Sequence, residues 1–328
     1  MKCSLKLLKR SWDRYSKKAW YQTVTEMKKH YRSIGVERLC RLFGKTRQAY
    51  YKLGSDRVYR SLAQTMILKL VGEIRKDQPR IGTRKLHYML EGTLRQHGIE
   101  IGRDKFFDLL GQHGLLVRRR KRRKLYTTNS NHPFYKYPNL IKGLQPVCAG
   151  ALWVSDITYI RMINNFCYLS LVTDAYSRKI VGYCLYPTLG KEGPLGALNM
   201  ALRQRKDKQL LIHHSDRGIQ YCCKEYIGIQ DVHKISISMT ENGDPYENAM
   251  AERVNGILKD EFGLGKTFNN FEQAQAAVTS AIAIYNKQRP HASCGYLTPE
   301  QAHKLHGILP SKWRKTPVNQ KQDYLTKV

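Results

Sequence analysis

The sequence predicts a mixed protein of the α+β and α/β classes, with N-terminal all-helical modules followed by a core built on a mixed five-stranded sheet with flanking helices. Three observations predict it. Apolar residues recur at helical spacing up to about residue 116, short β-rich runs begin after Pro146, and the later helical patterns alternate with strands. A chain of 328 residues with 41% hydrophobic content can bury a substantial core.

Residues 1–57 are predicted to form a basic arm and a helix-turn-helix. A short amphipathic helix is indicated by four apolar residues, Val36, Leu39, Cys40 and Phe43. Gly44 ends this helix and Thr46 can cap a second one. A second helix of this kind can insert into a major groove, so Arg47 and Gln48 near its start are candidate DNA contacts. An ordinary helical hairpin remains the alternative.

Residues 58–117 are predicted to form a second helical DNA-binding module. Its first helix is indicated by one apolar face, which comprises Met66, Ile67, Leu70, Val71 and Ile74. Pro79 and Gly82 interrupt this pattern, and two further helices are predicted over residues 83–94 and 102–113. The resulting unit has three helices and is rich in Arg and Lys.

Residues 118–147 are predicted to be a basic, proline-containing linker, and residues 311–328 a basic tail. The linker begins with seven consecutive cations, Arg118, Arg119, Arg120, Lys121, Arg122, Arg123 and Lys124. A run of charge is usually a solvated segment, but adjacent like charges repel unless a polyanion screens them. We therefore expect this run to contact the DNA backbone.

The formal net charge of +31 favours a polyanionic partner, with nucleic acid ahead of a membrane surface. No stretch approaches the roughly 20 apolar residues of a membrane span, so we expect no membrane association. The eight cysteines show neither the density nor the spacing of a disulfide scaffold, and no secretory signal precedes them. We expect a cytoplasmic, nucleoid-associated protein.

Residues 148–310 are predicted to form the catalytic core. Three closely spaced strands are indicated by ALWVSDITYIRM, FCYLSLVTDAYS and KIVGYCLYPT. They are followed by a helix over 191–205, a fourth strand in QLLIHHSD, a helix near 222–231, a fifth strand in ISISMT, and helices over 247–262 and 271–285. This order is that of a ribonuclease H-like fold. Trp153 and Tyr159 are expected to pack in its interior, since large aromatic residues in strands are usually buried.

Two aspartates are the first candidates for chemistry. Asp156 interrupts the first strand, where a half-buried carboxylate is costly unless it is paired, hydrogen-bonded or bound to metal. Asp216 closes the fourth strand, at a turn where α/β sheets commonly bind ligands. A strand-edge position for Asp156 and a helix-capping role for Asp216 are the structural alternatives.

Glu252 is the third candidate, on a predicted helix whose polar face also carries Asn248, Asn255 and Lys259. An ordinary surface helix has the same periodicity. Three carboxylates from two strands and a helix can hold two divalent ions about 4 Å apart, which serve the attacking and the leaving oxygen of a phosphoryl transfer. Oxygen ligands favour Mg²⁺ or Mn²⁺.

Four strings make the sequence resemble a known family. They are WVSDITYI, HHSDRGIQY, GDPYENAMAERVNGILKDE and YNKQRPHASCGYLTPEQAH. These resemble the integrase-like Asp-Asp-Glu transposases of bacterial insertion sequences, the second-reading-frame product of insertion-sequence family three. Thirty-five residues separate Asp216 from Glu252, and Lys259 follows seven after the glutamate, as in that family. The segment RIGTRKLHYML also resembles, less specifically, the helix-turn-helix region that precedes the core.

The resemblance implies that Asp156, Asp216 and Glu252 bind the metals and that Lys259 contacts the transposon end, with Asn248 helping to position the helix. It also implies DNA cleavage and strand transfer at the element's ends, a circular intermediate, a homo-multimer on DNA, and a possible fusion with an upstream-frame DNA-binding product. Two departures from the family pattern are Glu247, where Asp is usual, and the Cys222–Cys223 pair.

Three other functions stay open from the sequence: a metal-dependent nuclease of the same fold that cuts without joining, a sequence-specific DNA-binding protein, and a transposase that keeps the motifs without the activity. A zinc site from His213, His214, Cys222 and Cys223 is disfavoured, because adjacent residues on a strand point to opposite faces.

Overall fold

The computed structural model describes residues 19–118, 132–205, 209–241 and 248–310. The chain divides into two compact units, Met1–Leu70 and Val71–Val328, which are considered separately below. The basic tail over 311–328 and most of the basic run lie outside the described residues. In the described parts of the chain, no helix combines the length and the apolar character needed to span a membrane.

The first unit contains helices α1 (Ala19–His30) and α2 (Val36–Leu42) and the start of α3 (Arg47–Asp77). Its small core comprises Trp20, Val24, Leu39, Cys40 and Tyr50. The predicted turn between α2 and α3 is confirmed in detail. Gly44 takes φ +63°, and the Thr46 hydroxyl accepts a hydrogen bond from the Ala49 amide at 3.1 Å, which caps α3.

Two predictions for this unit were wrong. No helix was predicted over α1, although Trp20 and Val24 of this helix are buried at i, i+4 spacing. Two separate helices were expected where α3 continues for 31 residues. Gly54 does not break α3: a Cβ there would lie 2.9 Å from the Tyr21 hydroxyl, so the glycine allows close packing. The predicted domain limits, including one after residue 57 inside α3, remain predictions.

The second unit begins with the end of α3, followed by α4 (Thr83–Gln96) and α5 (Arg103–Gln112), close to the predicted limits. Leu86, Leu90, Phe106 and Leu110 are buried. One ion cluster ties α4 to the core of the same unit. Arg289 is buried, and Lys85 and Glu261 are half-buried. Three contacts of 2.8 Å join them: Arg289 Nε to Glu261 Oε2, Arg289 Nη2 to Glu261 Oε1, and Lys85 Nζ to Glu261 Oε1.

The core contains six strands and six α-helices among the described residues. The strands are β1 (Leu152–Met162), β2 (Phe166–Asp174), β3 (Ile180–Tyr186), β4 (Ile212–Ser215), β5 (Ser236–Met239) and β6 (Thr267–Phe268). The helices are α6 (Glu192–Gln204), α7 (Ile219–Cys222), α8 (Lys224–Val232), α9 (Ala249–Glu261), α10 (Phe271–Gln288) and α11 (Pro299–Ala302). A 3₁₀ turn at Ala292–Cys294 precedes α11.

The strand order is β3-β2-β1-β4-β5, with β1, β2 and β3 antiparallel and β4 and β5 parallel to β1. This mixed sheet with flanking helices confirms the predicted ribonuclease H-like core. Among the described strands only β6 was not expected, because a two-residue strand has no periodicity to detect; the four-residue helices α7 and α11 were not expected either. Strand β6 pairs with β1 at Arg161 and Met162, whereas β4 pairs with Leu152–Val154 on the same edge.

Helices cover both faces of the sheet. One apolar cluster joins Ile160 and Leu169 to the buried faces of α9 and α10, and the other joins Val172 and Val181 to α6 and α8. Gly182 allows α6 to approach β3 closely, since a Cβ there would lie 2.1 Å from the Ala197 carbonyl oxygen. β2 pairs along one edge of β1, β4 and β6 occupy the two ends of the other edge, and α9 lies against the middle of β1.

Candidate active site

The three predicted carboxylates lie around the middle of β1. Asp156 is half-buried in this strand, and Asp216 follows the last residue of β4. Val154 pairs with His214, so the parallel register places Asp216 beside Asp156. Glu252 lies in the first turn of α9 and is exposed. The structure thus brings two aspartates together and leaves the glutamate on the adjoining helix.

The electrostatics of Asp156 reflect this crowding. Burial and then the negative charge of Asp216 raise the pKa of its carboxyl from 3.8 to about 7. Hydrogen bonds from Asn255 and from the Ile157 amide oppose the rise in pKa, and Glu252 adds a smaller rise. Without an added cation, the site therefore favours a proton on one of its carboxylates near neutral pH.

Two asparagines fasten α9 to β1. Asn255 Nδ2 donates to Asp156 Oδ2 at 2.7 Å, and Asn248 Nδ2 donates to the Ser155 carbonyl oxygen at 3.1 Å. Asn248 precedes α9 but does not cap it with its side chain. The Oδ1 atoms of both asparagines are buried and accept no hydrogen bond from the described residues. These amides therefore set the position of α9, and with it the backbone position of Glu252.

The donor set fits hard divalent cations. Within the described residues, no group of three or more His, Cys, Asp or Glu side chains is already arranged to hold a metal. The available atoms are nevertheless carboxylate oxygens whose charges crowd one another, and the Asn255 Oδ1 atom is a buried acceptor next to Asp156. Oxygen donors of this kind suit Mg²⁺ or Mn²⁺.

Lys259 lies two turns along α9 from Glu252 and packs onto an aromatic ring. Its Nζ atom is 3.8 Å from the ring centroid of Tyr159. Burial lowers the pKa of this amine from 10.5 to about 8, and the charges of Asp156 and Asp260 oppose that lowering. Tyr159 is half-buried beneath Lys259, so its expected interior position is met only in part. Trp153, in contrast, is buried as expected.

The other predicted site residues are scattered. Arg47 and Gln48 are exposed at the start of α3 in the first unit, and Arg118 is exposed in the second. Arg119, Arg120, Lys121, Arg122, Arg123 and Lys124 lie outside the described residues, as does Glu247. Cys222 and Cys223 are buried, and burial raises the pKa of the Cys222 thiol to about 11. The DNA contacts expected of Arg47, Gln48 and the basic run stay predictions.

One site residue was not assigned a role from the sequence. Asn255 was recognised only as a member of the polar face of α9. The sequence feature that could have identified Asn255 is its position. It follows Glu252 by three residues and therefore lies almost one turn further along the same face of α9. An Asn at an otherwise buried position, as Asn255 is, indicates a required hydrogen-bond partner.

The chain matches a described protein family twice. The family described as "Integrase core domain" matches residues 146–245 and residues 233–299. Both matches lie in the part of the chain that carries the sheet, α9 and the three carboxylates. The second match includes Glu252, Asn255 and Lys259.

Curated relatives extend the similarity beyond the core. The 31 kDa protein of insertion element IS600 from Shigella sonnei is 36% identical over 278 residues, which cover 81% of this chain and 99% of that protein. A putative transposase for insertion sequence IS986/IS6110 from Mycobacterium tuberculosis is 31% identical over 215 residues, 63% of this chain and 77% of that protein. Transposase InsF for insertion sequence IS3A from Escherichia coli is 38% identical over 150 residues, 45% of this chain and about half (52%) of that relative.

Solved structures give a more distant likeness. The integrase catalytic core domain of HTLV-2 in complex with magnesium is 17% identical, covers 48% of this chain and 99% of that chain, and has a TM-score of 0.40. The catalytic domain of Mos1 mariner transposase is 12% identical, covers 41% of this chain and 70% of that chain, and has a TM-score of 0.35. At these TM-scores the likeness adds no weight to an assignment.

Proposed function

Because this chain belongs to the integrase-like transposases of bacterial insertion sequences, we propose that it cuts DNA at the ends of its element and joins those ends to new DNA. The reaction is a polynucleotidyl transfer. Hydrolysis at the element's end frees a 3′ hydroxyl, and this hydroxyl attacks a second phosphodiester in line. Asp156, Asp216 and Glu252 are the proposed catalytic carboxylates.

The observation that supports this function is the crowding of Asp156 and Asp216 beside the helix that carries Glu252. Two ions of Mg²⁺ or Mn²⁺ held by these carboxylates would supply charge for the attacking and the leaving oxygen. Asn255 holds the Asp156 carboxylate in one orientation, and Asn248 fixes the start of α9 against β1. These contacts orient Asp156 and position the start of α9 before DNA binds.

The proposed partner is DNA, both the element's ends and the target. Lys259 is proposed to contact the element's end, where its charge lies next to Asp156. Arg47 and Gln48 are exposed at the start of α3, where a groove-inserted helix would present them. Pairing two ends requires more than one active site, so we further propose a homo-multimer on DNA, with an upstream-frame fusion partner as an additional DNA-binding segment.

The test is strand joining of labelled element-end DNA with Mg²⁺ or Mn²⁺, comparing wild type with Glu252→Gln. Glu272→Gln is the matched control, because Glu272 is also an exposed glutamate in the first turn of a helix of the same unit. We expect joining to vanish in Glu252→Gln and to persist in Glu272→Gln. Joining that persists in Glu252→Gln would remove this glutamate from the site.

The same assay separates the other functions. Ends that are cut but never joined indicate a nuclease of the same fold. If the Asp216→Asn protein keeps the biological activity of wild type, the chain is a DNA-binding protein that does not use the carboxylates. If wild type neither cuts nor joins, the assay is repeated with the upstream-frame fusion, and inactivity there as well indicates a transposase that has lost its activity.

A further inference from the structure

Three tyrosines form a row across the sheet. In the strand register, Tyr159 on β1 lies opposite Tyr168 on β2, and Tyr168 lies opposite Tyr186 on β3. Residues directly opposite one another in antiparallel strands project from the same face. Tyr159, Tyr168 and Tyr186, called the tyrosine row below, therefore share one face of the sheet. Phe166 extends this aromatic surface towards the β1–β2 turn, opposite Arg161.

The tyrosine row lies beyond the start of α6, which covers the same face further along. Gly193 in the first turn of α6 approaches Ser170 and Tyr186, and Gly196 approaches Cys184. Among the described residues, the tyrosine row belongs to neither of the two apolar clusters that sandwich the sheet. The three tyrosines are half-buried, and Phe166 is 40% exposed. This end of the sheet therefore carries a partly accessible aromatic surface.

Cations accompany these rings. Lys259 Nζ lies 3.8 Å from the Tyr159 centroid, and the Arg161 guanidinium lies over the Phe166 ring at 5.4 Å. The Tyr159 and Phe166 rings meet edge to face, with centroids 5.4 Å apart. Partly accessible aromatic rings interleaved with cations are the combination that binds single-stranded nucleic acid: the rings stack on bases and the cations neutralise phosphates.

Lys259 connects this surface to the carboxylates. Asp156 and Tyr159 are three residues apart on β1 and therefore point to opposite faces, with their Cα atoms about 10 Å apart along the strand. Lys259 acts on both, because its ammonium lies on the Tyr159 ring and its charge interacts with Asp156. A flexible single strand that leaves the carboxylates can pass Lys259 around the edge of β1. A rigid duplex cannot follow so tight a path.

We propose that the tyrosine row binds unpaired bases of single-stranded DNA beside the cleavage point. This inference rests on the proposed function for the identity of DNA as partner. Two strand spacings separate Tyr159 from Tyr186, about 10 Å, which gives room for two or three bases on a sheet surface. Stacking on tyrosine does not depend on the identity of the base, so the row accepts many flanking sequences.

The experiment measures DNA binding of the full-length protein, without divalent cations, to two element-end probes. One probe is fully duplex, and the other carries a few unpaired nucleotides of flanking DNA. Tyr168→Leu removes the central ring of the tyrosine row, and Tyr168→Phe keeps it. Tyr135→Leu is the matched control, since Tyr135 is 72% exposed on the segment before the core and lies outside the row.

We expect wild type, Tyr168→Phe and Tyr135→Leu to bind the single-stranded flank more tightly than the duplex end. Tyr168→Leu should weaken binding of the flanked probe roughly fivefold to a hundredfold, the effect of losing one base stack, with little change on the duplex probe. In addition, 5-iodo-deoxyuridine in the flank should photo-cross-link to peptides that contain the tyrosine row.

Several outcomes overturn the proposal. Equal binding of the flanked probe by Tyr168→Leu and wild type removes the row from DNA binding. A change of oligomeric state in Tyr168→Leu, with the flank preference retained, indicates that the row is a protein interface. Thermal unfolding of each variant identifies a misfolded one, and the exposed Phe166→Ala then replaces Tyr168→Leu. No readout requires catalysis, so failure of the row is distinguishable from failure of the joining assay.

Discussion

Asn255 holds the carboxylate of Asp156, with its Nδ2 atom 2.7 Å from Asp156 Oδ2. This hydrogen bond joins α9 to the middle of β1, 99 residues earlier in the chain. Because Asn255 follows Glu252 by three residues on the same helix, one contact governs the orientation of the aspartate and the position of the glutamate. Asn255 is therefore the positioning residue of the proposed active site.

We predict that Asn255→Ala reduces strand joining roughly tenfold to a hundredfold. A hydrogen bond to a charged group contributes about 1.5–3 kcal/mol, and here it fixes the direction of a carboxylate that we propose to be catalytic. The measurement is the initial rate of joining at saturating DNA. Asn164→Ala in the exposed β1–β2 turn is the control and should behave as wild type. A wild-type rate for Asn255→Ala would show that Asp156 needs no such support.

The raised pKa of Asp156 predicts a pH-dependent stability in the absence of divalent cations. Its pKa is 3.8 in the unfolded chain and about 7 in the folded protein, so the folded state holds the proton more tightly. This contribution to stability is complete below pH 4 and is lost as pH rises through 7. Asp156→Asn, which cannot ionise, should therefore be more stable than wild type at pH 8, by about 3–4 kcal/mol.

Thermal unfolding with a chelator at pH 5 and pH 8 measures this effect. Asp231→Asn on the exposed side of α8 is the control and should follow wild type at both values. Added Mg²⁺ or Mn²⁺ should raise the melting temperature of wild type at pH 8 but not that of Asp156→Asn. A difference between wild type and Asp156→Asn that does not change with pH contradicts the assigned electrostatics.

The lowered pKa of Lys259 predicts that the binding of element-end DNA weakens in mild alkali. Its amine has a pKa of about 8 in the free protein, and a phosphate contact requires the protonated form. Above pH 8, the Lys259 amine must therefore gain a proton when DNA binds. The affinity for DNA should then fall by up to about tenfold for each pH unit. Titration of a duplex end by fluorescence anisotropy between pH 7 and 9.5 measures this slope.

Lys259→Arg provides the control for that titration, since arginine stays charged throughout the range. Its affinity should be nearly constant from pH 7 to 9.5. Lys266→Arg, at an exposed position outside α9, should keep the wild-type slope. An unchanged slope in Lys259→Arg would assign the pH dependence to another group.

The sequence predicted the sheet and the helices of the core because their periodicities are local. Strands β1 to β5 were each indicated by a short β-rich run, and α6 and α10 by helical spacing. The region around α3 could not be predicted in the same way. The helix continues through Gly54, where the reason for a glycine is a distant contact. Tyr21, 33 residues earlier, occupies the space where a side chain would stand.

In the candidate site, too, the features set by local sequence were predicted and the contacts between distant segments were not. Asp156, Asp216 and Glu252 were found from their spacing and from a resemblance carried by local strings. The partnership of Asn255 with Asp156 and the position of Lys259 on Tyr159 are contacts between distant segments. Pattern and propensity assign Tyr159 to the interior, because a tyrosine in a strand is usually buried. Its half-buried position beneath Lys259 depends on a residue 100 positions later in the chain, which the strand's own sequence does not encode.

The ion cluster of Glu261, Arg289 and Lys85 gives a last prediction, for the join between α4 and the core. Burial opposes ionisation of Glu261, but hydrogen bonds and charge from Arg289 and Lys85 lower its pKa from 4.5 to about 2. The stability from this shift is present above pH 4.5 and is lost as pH falls towards 2. Glu261→Gln should destabilise the protein at pH 7 by about 3–5 kcal/mol, because it leaves the buried Arg289 and the half-buried Lys85 without a counter-charge.

Urea unfolding at pH 7 measures this loss, with Glu91→Gln as the matched control. Glu91 pairs with Arg95 one turn along the exposed side of α4, and such surface pairs contribute about 0.5 kcal/mol or less. Adding Lys85→Met to Glu261→Gln should recover part of the stability, because it removes one of the unpaired charges. If Glu261→Gln unfolds at the same urea concentration as Glu91→Gln, the cluster does not hold α4 to the core, and apolar packing alone must do so.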